Sequence, residues 1–165
     1  MGMPHALDSP RVPGALAKEA LPFRGVALAW VITGGLVAAV TGPLGLDHGS
    51  WSAAFQVLVG GVLQAGLGVA QSALAGRPIS RRVLAAELLT WNLGCLAVIA
   101  GTVLAAPLIV DAGGLLLVVA MAFMIRAVGR GAKGPAWALW TYRAFLVLAF
   151  VSIPIGLFLA HTRAG

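Results

Sequence analysis

From Gly25 onward the chain is written in long apolar blocks separated by short polar gaps. The first block, GVALAWVITGGLVAAVTGPLG, covers about 25–45 and stops at Pro43 and Gly45. Four more follow at about 51–76, 83–107, 111–128 and 135–160. A helix needs roughly 20 apolar residues to cross bilayer hydrocarbon. In that solvent a lone strand would leave its amides unpaired, so helix is the reading for each block. The pattern predicts an all-α integral membrane protein, a five-helix bundle. Only PLIVD separates the third block from the fourth. Fused, the two would make a helix of about 45 residues, more than twice a span. Pro107, Asp111 and the Gly113–Gly114 pair predict a turn there instead.

Residues 1–23 are mixed in character and carry Pro4, Pro10, Pro13 and Pro22. They read as a cytoplasmic tail with a short surface helix at GALAKEAL. A secretory signal would place a short apolar core soon after the start, whereas here the apolar pattern begins after Arg24. Residues 24–161 then form one transmembrane domain, and 162–165 a short outer tail.

Composition strengthens this picture. The 165 residues are 60% hydrophobic and 10% charged, against about 25% charged in a soluble domain. The net charge of +6 is distributed unevenly. Arg11, Lys18 and Arg24 lie in the tail, Arg77, Arg81 and Arg82 between blocks two and three, and Arg126, Arg130 and Lys133 between blocks four and five. The other two gaps carry Asp47 and Asp111 and no base. Basic loops stay on the cytoplasmic side, which predicts an inner N-terminus and an outer C-terminus. The sparing use of Lys beside Arg fits a high-GC genome and a bacterial-type cytoplasmic membrane. No basic run with interleaved aromatics lies outside the blocks, so the charge points to lipid head groups and not to nucleic acid.

Within block two, Gln56, Gly60, Gln64, Gly68, Ser72 and Gly76 recur at four-residue spacing, with Gln71 beside them. Residues four apart share a helix face. Small residues admit a neighbouring backbone, and Gln or Ser can hydrogen-bond across the contact. Block three has a similar line at Thr90, Gly94 and Gly101, with Ala97 between. Both lines are expected inside the bundle. Asn92 lies deeper in block three, away from the Glu87 face, and is expected to bond a neighbouring helix.

Arg143 stands about eight residues into block five, and Glu87, about five into block three, is the lone acid within a block. A charge at the bilayer centre costs about 2.5–3.5 kcal/mol on insertion scales. The expectation is therefore an intramembrane ion pair between Glu87 and Arg143, joined by Gln71, with Trp140 stacked on the guanidinium. Cys95, alone of its kind, reads as a small buried packing residue.

Other chemistry is sparse. His5, His48 and His161 all lie outside the blocks or at their ends, so this chain has no facing histidines of its own for haem. The stretch DHGSW resembles, over about three residues, the start of a histidine-bearing span in haem–copper oxidase large subunits. The rest of that histidine set is absent, and no ligand is assigned. Asp47 and His48, with Asp111, are the outer-face candidates for a metal, but they fall short of a site and no cofactor is expected. Nucleotide-binding, serine-hydrolase and zinc-protease motifs are missing. The sequence thus predicts a non-enzymatic membrane protein acting through helix contacts, as an accessory subunit or a homo-oligomer. The alternatives are a small transporter or channel component built on Glu87 and Arg143, and an electron-transfer subunit borrowing ligands from a partner.

Overall fold

A computed structural model describes the backbone of residues 13–129 and 134–164, with side chains for 20–129 and 134–151. The tail before Pro13, Arg130 and Lys133, and the side chains of Lys18, His161 and Arg163, lie outside the described residues. The described chain is helical: α1 (Pro13–Leu44), α2 (Gly49–Leu74), α3 (Arg81–Val103), α4 (Pro107–Gly129) and α5 (Ala136–Ala164). Among the described residues, four helices are long and apolar enough to cross a membrane: Ala20–Leu44 within α1, and the whole of α2, α3 and α4. The apolar stretch described in α5, Ala136–Val151, is shorter.

Two antiparallel hairpins make the body. In the first, α1 packs along the full length of α2. Aromatic and branched side chains of α1 drop into glycine notches on α2: Phe23 against Gly68, Trp30 against Gly60 and Val31 against Gly61. Gly34 of α1 returns the pattern by receiving Val57. The middle of α2, Gln56–Leu63, is wound as a π-helix. Such a segment widens the turn and changes which side chains share a face.

The second hairpin pairs α3 with α4. Here backbone meets backbone. A Cβ at Gly113 would lie 2.8 Å from the Gly94 carbonyl oxygen, and one at Gly101 would lie 2.7 Å from the Val110 amide nitrogen. Ser80 starts α3 in extended geometry, its hydroxyl accepting from the Val83 amide at 3.3 Å. The turn into α4 falls at Leu104–Ala106, with Ala105 at φ 49° and the Ala106 amide closing back on the Gly101 carbonyl. α5 lies against α4 and the C-terminal half of α2 through Tyr142 and Leu146.

Hydropathy misplaces one boundary. α1 begins at Pro13 and runs unbroken through Pro22, with no separate surface helix. Phe23, assigned by its neighbours to the tail, is 1% exposed and belongs to the core. Proline at a first helical turn costs nothing, because that amide is unpaired anyway. The packing of Phe23 onto Gly68 carries the helix through the second proline.

The partition of polarity is the reverse of that in water. Leu28, Ile32, Leu36, Leu89, Leu93 and Leu115 are exposed, whereas Gln64, Gln71 and Glu87 are at most 1% exposed. A surface of this kind is solvated by hydrocarbon, with backbone amides satisfied inside each helix.

Candidate functional site: a buried polar column

The polar side chains of α2 gather on its inward face. Ser52, Gln56, Gln64, Gln71 and Ser72 are all buried. From residue 52 to residue 71 they extend about 28 Å at helical rise, close to the thickness of bilayer hydrocarbon. Gly60 and Gly68 fall on the same face and hold α1 through Trp30 and Phe23. The seam read from the sequence as packing therefore combines glycine notches with a line of buried amides.

At the end where α2 leads into α3, the Gln71 amide donates to both carboxylate oxygens of Glu87, at 2.9 Å each. Glu87 is wholly buried. Tyr142 of α5 is 3% exposed and near enough to Glu87 to feel its charge. One turn beyond Glu87, on the same face of α3, stands Trp91, 1% exposed. Two turns back along α2 from Gln71 stands Gln64.

This group is polar and incompletely paired. Both amide atoms of Gln64, the Gln71 carbonyl oxygen, the Trp91 indole nitrogen and the Tyr142 hydroxyl have no hydrogen-bond partner among the described residues. Leaving a buried donor or acceptor unmade costs about 1–3 kcal/mol each. Five such atoms along one interior strip are a strong demand for hydrogen-bonding matter between the helices.

Above this strip the Trp30 indole lies on Gly60 and donates to the Asn92 side-chain oxygen. The Asn92 amide in turn donates to the Leu88 carbonyl at 2.7 Å. Asn92 thus bonds a neighbouring helix, α1. Beyond this closure Gln56 donates to the Ser52 hydroxyl at 3.1 Å. The column therefore divides into an outer pair, an aromatic plug and an inner group around Glu87.

Arg143 is not part of it. Its side chain is exposed, and its guanidinium lies over the Trp140 ring, 5.9 Å from the centroid. The ion pair expected from the sequence is not formed. Tyr142, the adjacent residue, takes the inward position on α5 that the pairing would have required. Helical side chains lean toward the N-terminus of their helix, so Arg143 reaches back along α5 toward Trp140, and Trp137 is exposed one turn earlier. This is the geometry of a snorkelling arginine in an aromatic belt.

The packing glycines Gly94 and Gly101 face α4, and Ser72 caps inward on the Val69 carbonyl. Cys95 is buried and free. Asp47 and His48 are exposed in the turn before α2, and Asp111 lies half-buried in α4. Among the described residues, no group of three or more His, Cys, Asp or Glu is placed to hold a metal ion. Sequence reading missed Trp91 and Tyr142 as members of the inner group. Trp91 follows Glu87 by four residues, and that spacing could have found it. Tyr142 could not be chosen over Arg143 without knowing how α5 is rotated. Comparison of the chain with protein families, curated proteins and solved structures finds no match.

Proposed function

We propose that this chain is a five-span membrane protein, with its N-terminus in the cytoplasm and its C-terminus outside, that acts through helix contacts rather than catalysis. It serves as a subunit of a larger membrane assembly or as a homo-oligomer. The observation that carries this reading is a line of small residues on the outward face of α1. Gly35, Ala39 and Gly42 are all exposed, and a Cβ at Gly35 or Gly42 would meet nothing within 4 Å. Lipid tails gain little from a groove of this shape, whereas a second helix can approach it closely. The orientation draws support from Arg24, Arg77, Arg81, Arg82 and Arg126, all exposed near one end of the helices, with Asp47 at the other.

Mass measurement in mild detergent tests this. Wild type is expected as an oligomer or within a larger complex, and Gly35→Leu with Gly42→Leu should release a folded monomer. A monomeric wild type would remove the reading. A C-terminal reporter active only in the cytoplasm would overturn the orientation.

A transporter or channel component remains the second reading, favoured by the buried column. Its polar path runs through Gln64, Gln71 and Glu87 and no longer includes Arg143.

A further inference from the structure

The inner group has the composition of a proton site. Among the described residues, Glu87 is the lone acidic side chain facing the interior there. Gln71 of α2 donates to it, and Tyr142 of α5 lies within range of its charge. The buried residues at that end of α4, Met121, Met124 and Val128, carry no charge. The exposed bases Arg81 and Arg82 lie at the start of α3, about one to two turns away. Among the described residues, a carboxylate held this way has hydrogen-bond support from Gln71 and no cation against it. Burying it charged is unfavourable, and binding a proton relieves that cost.

The partnerless atoms add what a carboxyl alone would lack. Gln64 offers two N–H donors and an acceptor oxygen, Gln71 an acceptor, Trp91 a donor, and Tyr142 both. They span about 10 Å from Gln71 to Gln64 along α2. That is too long for one small ion to satisfy and suits a short file of water, each molecule taking two to four polar partners.

We propose that Glu87 is a proton-exchanging carboxyl at the head of a hydrated chamber between α2 and α3, lined by Gln71, Gln64, Trp91 and Tyr142 and closed toward the other face by Trp30 on Gly60. In the step itself, hydronium in the chamber gives its proton to a Glu87 oxygen. One O–H bond breaks, another forms, and water is left. This inference is independent of the assembly reading, since it holds for one chain alone.

Infrared spectroscopy of the full-length protein in lipid tests it. Glu19 and Glu87 are the only glutamates in the chain, so carbon-13 glutamate labelling of Glu19→Gln isolates the Glu87 carboxyl. The expected result is a labelled carboxylic-acid band that falls as pH rises and shifts promptly on transfer to D2O. Gln64→Leu should slow that shift about tenfold by interrupting the file. A band that neither titrates nor exchanges would reveal a sealed, dry knot and overturn the proposal. A band that responds to sodium, potassium or ammonium chloride but not to choline chloride would assign the site to a cation and overturn it equally.

Discussion

The two hairpins spend glycine differently. Between α1 and α2, glycines make notches that large side chains of the partner fill, as Phe23 does at Gly68 and Trp30 at Gly60. Between α3 and α4, glycines bring the two backbones together, Gly94 against Gly113. A notch is negotiable, because the knob that fills it can be shortened. A backbone contact is not, because no substitution on the other strand of the hairpin moves a carbonyl away. The difference also governs where polar atoms collect. The α3–α4 contact leaves little room, whereas the knob-filled α1–α2 contact is flanked on α2 by buried amides.

The sharpest way to break this comparison is Gly113→Ala. Its methyl would lie 2.8 Å from the Gly94 oxygen and the Val98 amide. The expected cost is about 3 kcal/mol, the upper end for overpacking, read as a lowered unfolding midpoint in mild detergent. Trimming Val98 to Ala removes its Cγ2, one of the three atoms at 2.8 Å, but neither that change nor Leu117→Ala should restore the midpoint, because the Gly94 oxygen and the Val98 nitrogen remain. Recovery by either change would show that the two hairpins obey one rule.

Gly68→Ala should cost less, about 1–2 kcal/mol, since Phe23 can be displaced. Phe23→Ala in the same chain removes Cγ and Cδ1, two of the three atoms in the way, and should return part of that loss, a coupling that a double-mutant cycle measures directly. Additive losses would mean that Phe23 is fixed by its own helix and that the notch is as rigid as the glycine contact. A still smaller effect is expected from Trp30→Phe, about 1 kcal/mol for the bond to Asn92. It should open the plug above Gln64 without unfolding either hairpin.

These contrasts show how far the sequence could be read. Hydropathy locates each helix because hydrocarbon demands an apolar surface whatever lies inside, and a break between blocks three and four was legible from Pro107, but it falls at Leu104–Ala106: Asp111 and the Gly113–Gly114 pair, read as turn signals, lie inside α4, where Gly113 packs on Gly94. The inward placement of Gln56, Gln64 and Gln71 was legible too, since only one face of α2 could hold them. What could not be read was helix rotation. Two adjacent residues on α5, Tyr142 and Arg143, point about 100° apart, and pairing rules alone favoured the arginine. The structure chooses the tyrosine because the Arg143 head can reach the aromatic belt past Trp140, while the tyrosine's length suits the interior. The start of α1 was hidden for a related reason. Phe23 is recruited by a notch 45 positions later, and no local pattern announces that.

The smallest expected effect lies at the turn of the rigid hairpin, and it has the opposite sign. Ala105 adopts φ 49° after the last turn of α3, a conformation that costs a residue bearing a Cβ about 1–2 kcal/mol. Glycine removes that strain but gains about 0.4–1 kcal/mol of freedom in the unfolded chain. Ala105→Gly should therefore stabilise by roughly 0.5 kcal/mol, seen as a slight rise in unfolding midpoint. The turn holds its form despite the strain because Gly101 and Gly94 fix the α3–α4 spacing over the whole hairpin. In the background of Gly113→Ala that restraint is weakened, so the gain from Ala105→Gly should shrink. An undiminished gain would place the turn outside the glycine-held unit and confine backbone packing to the middle of the two helices.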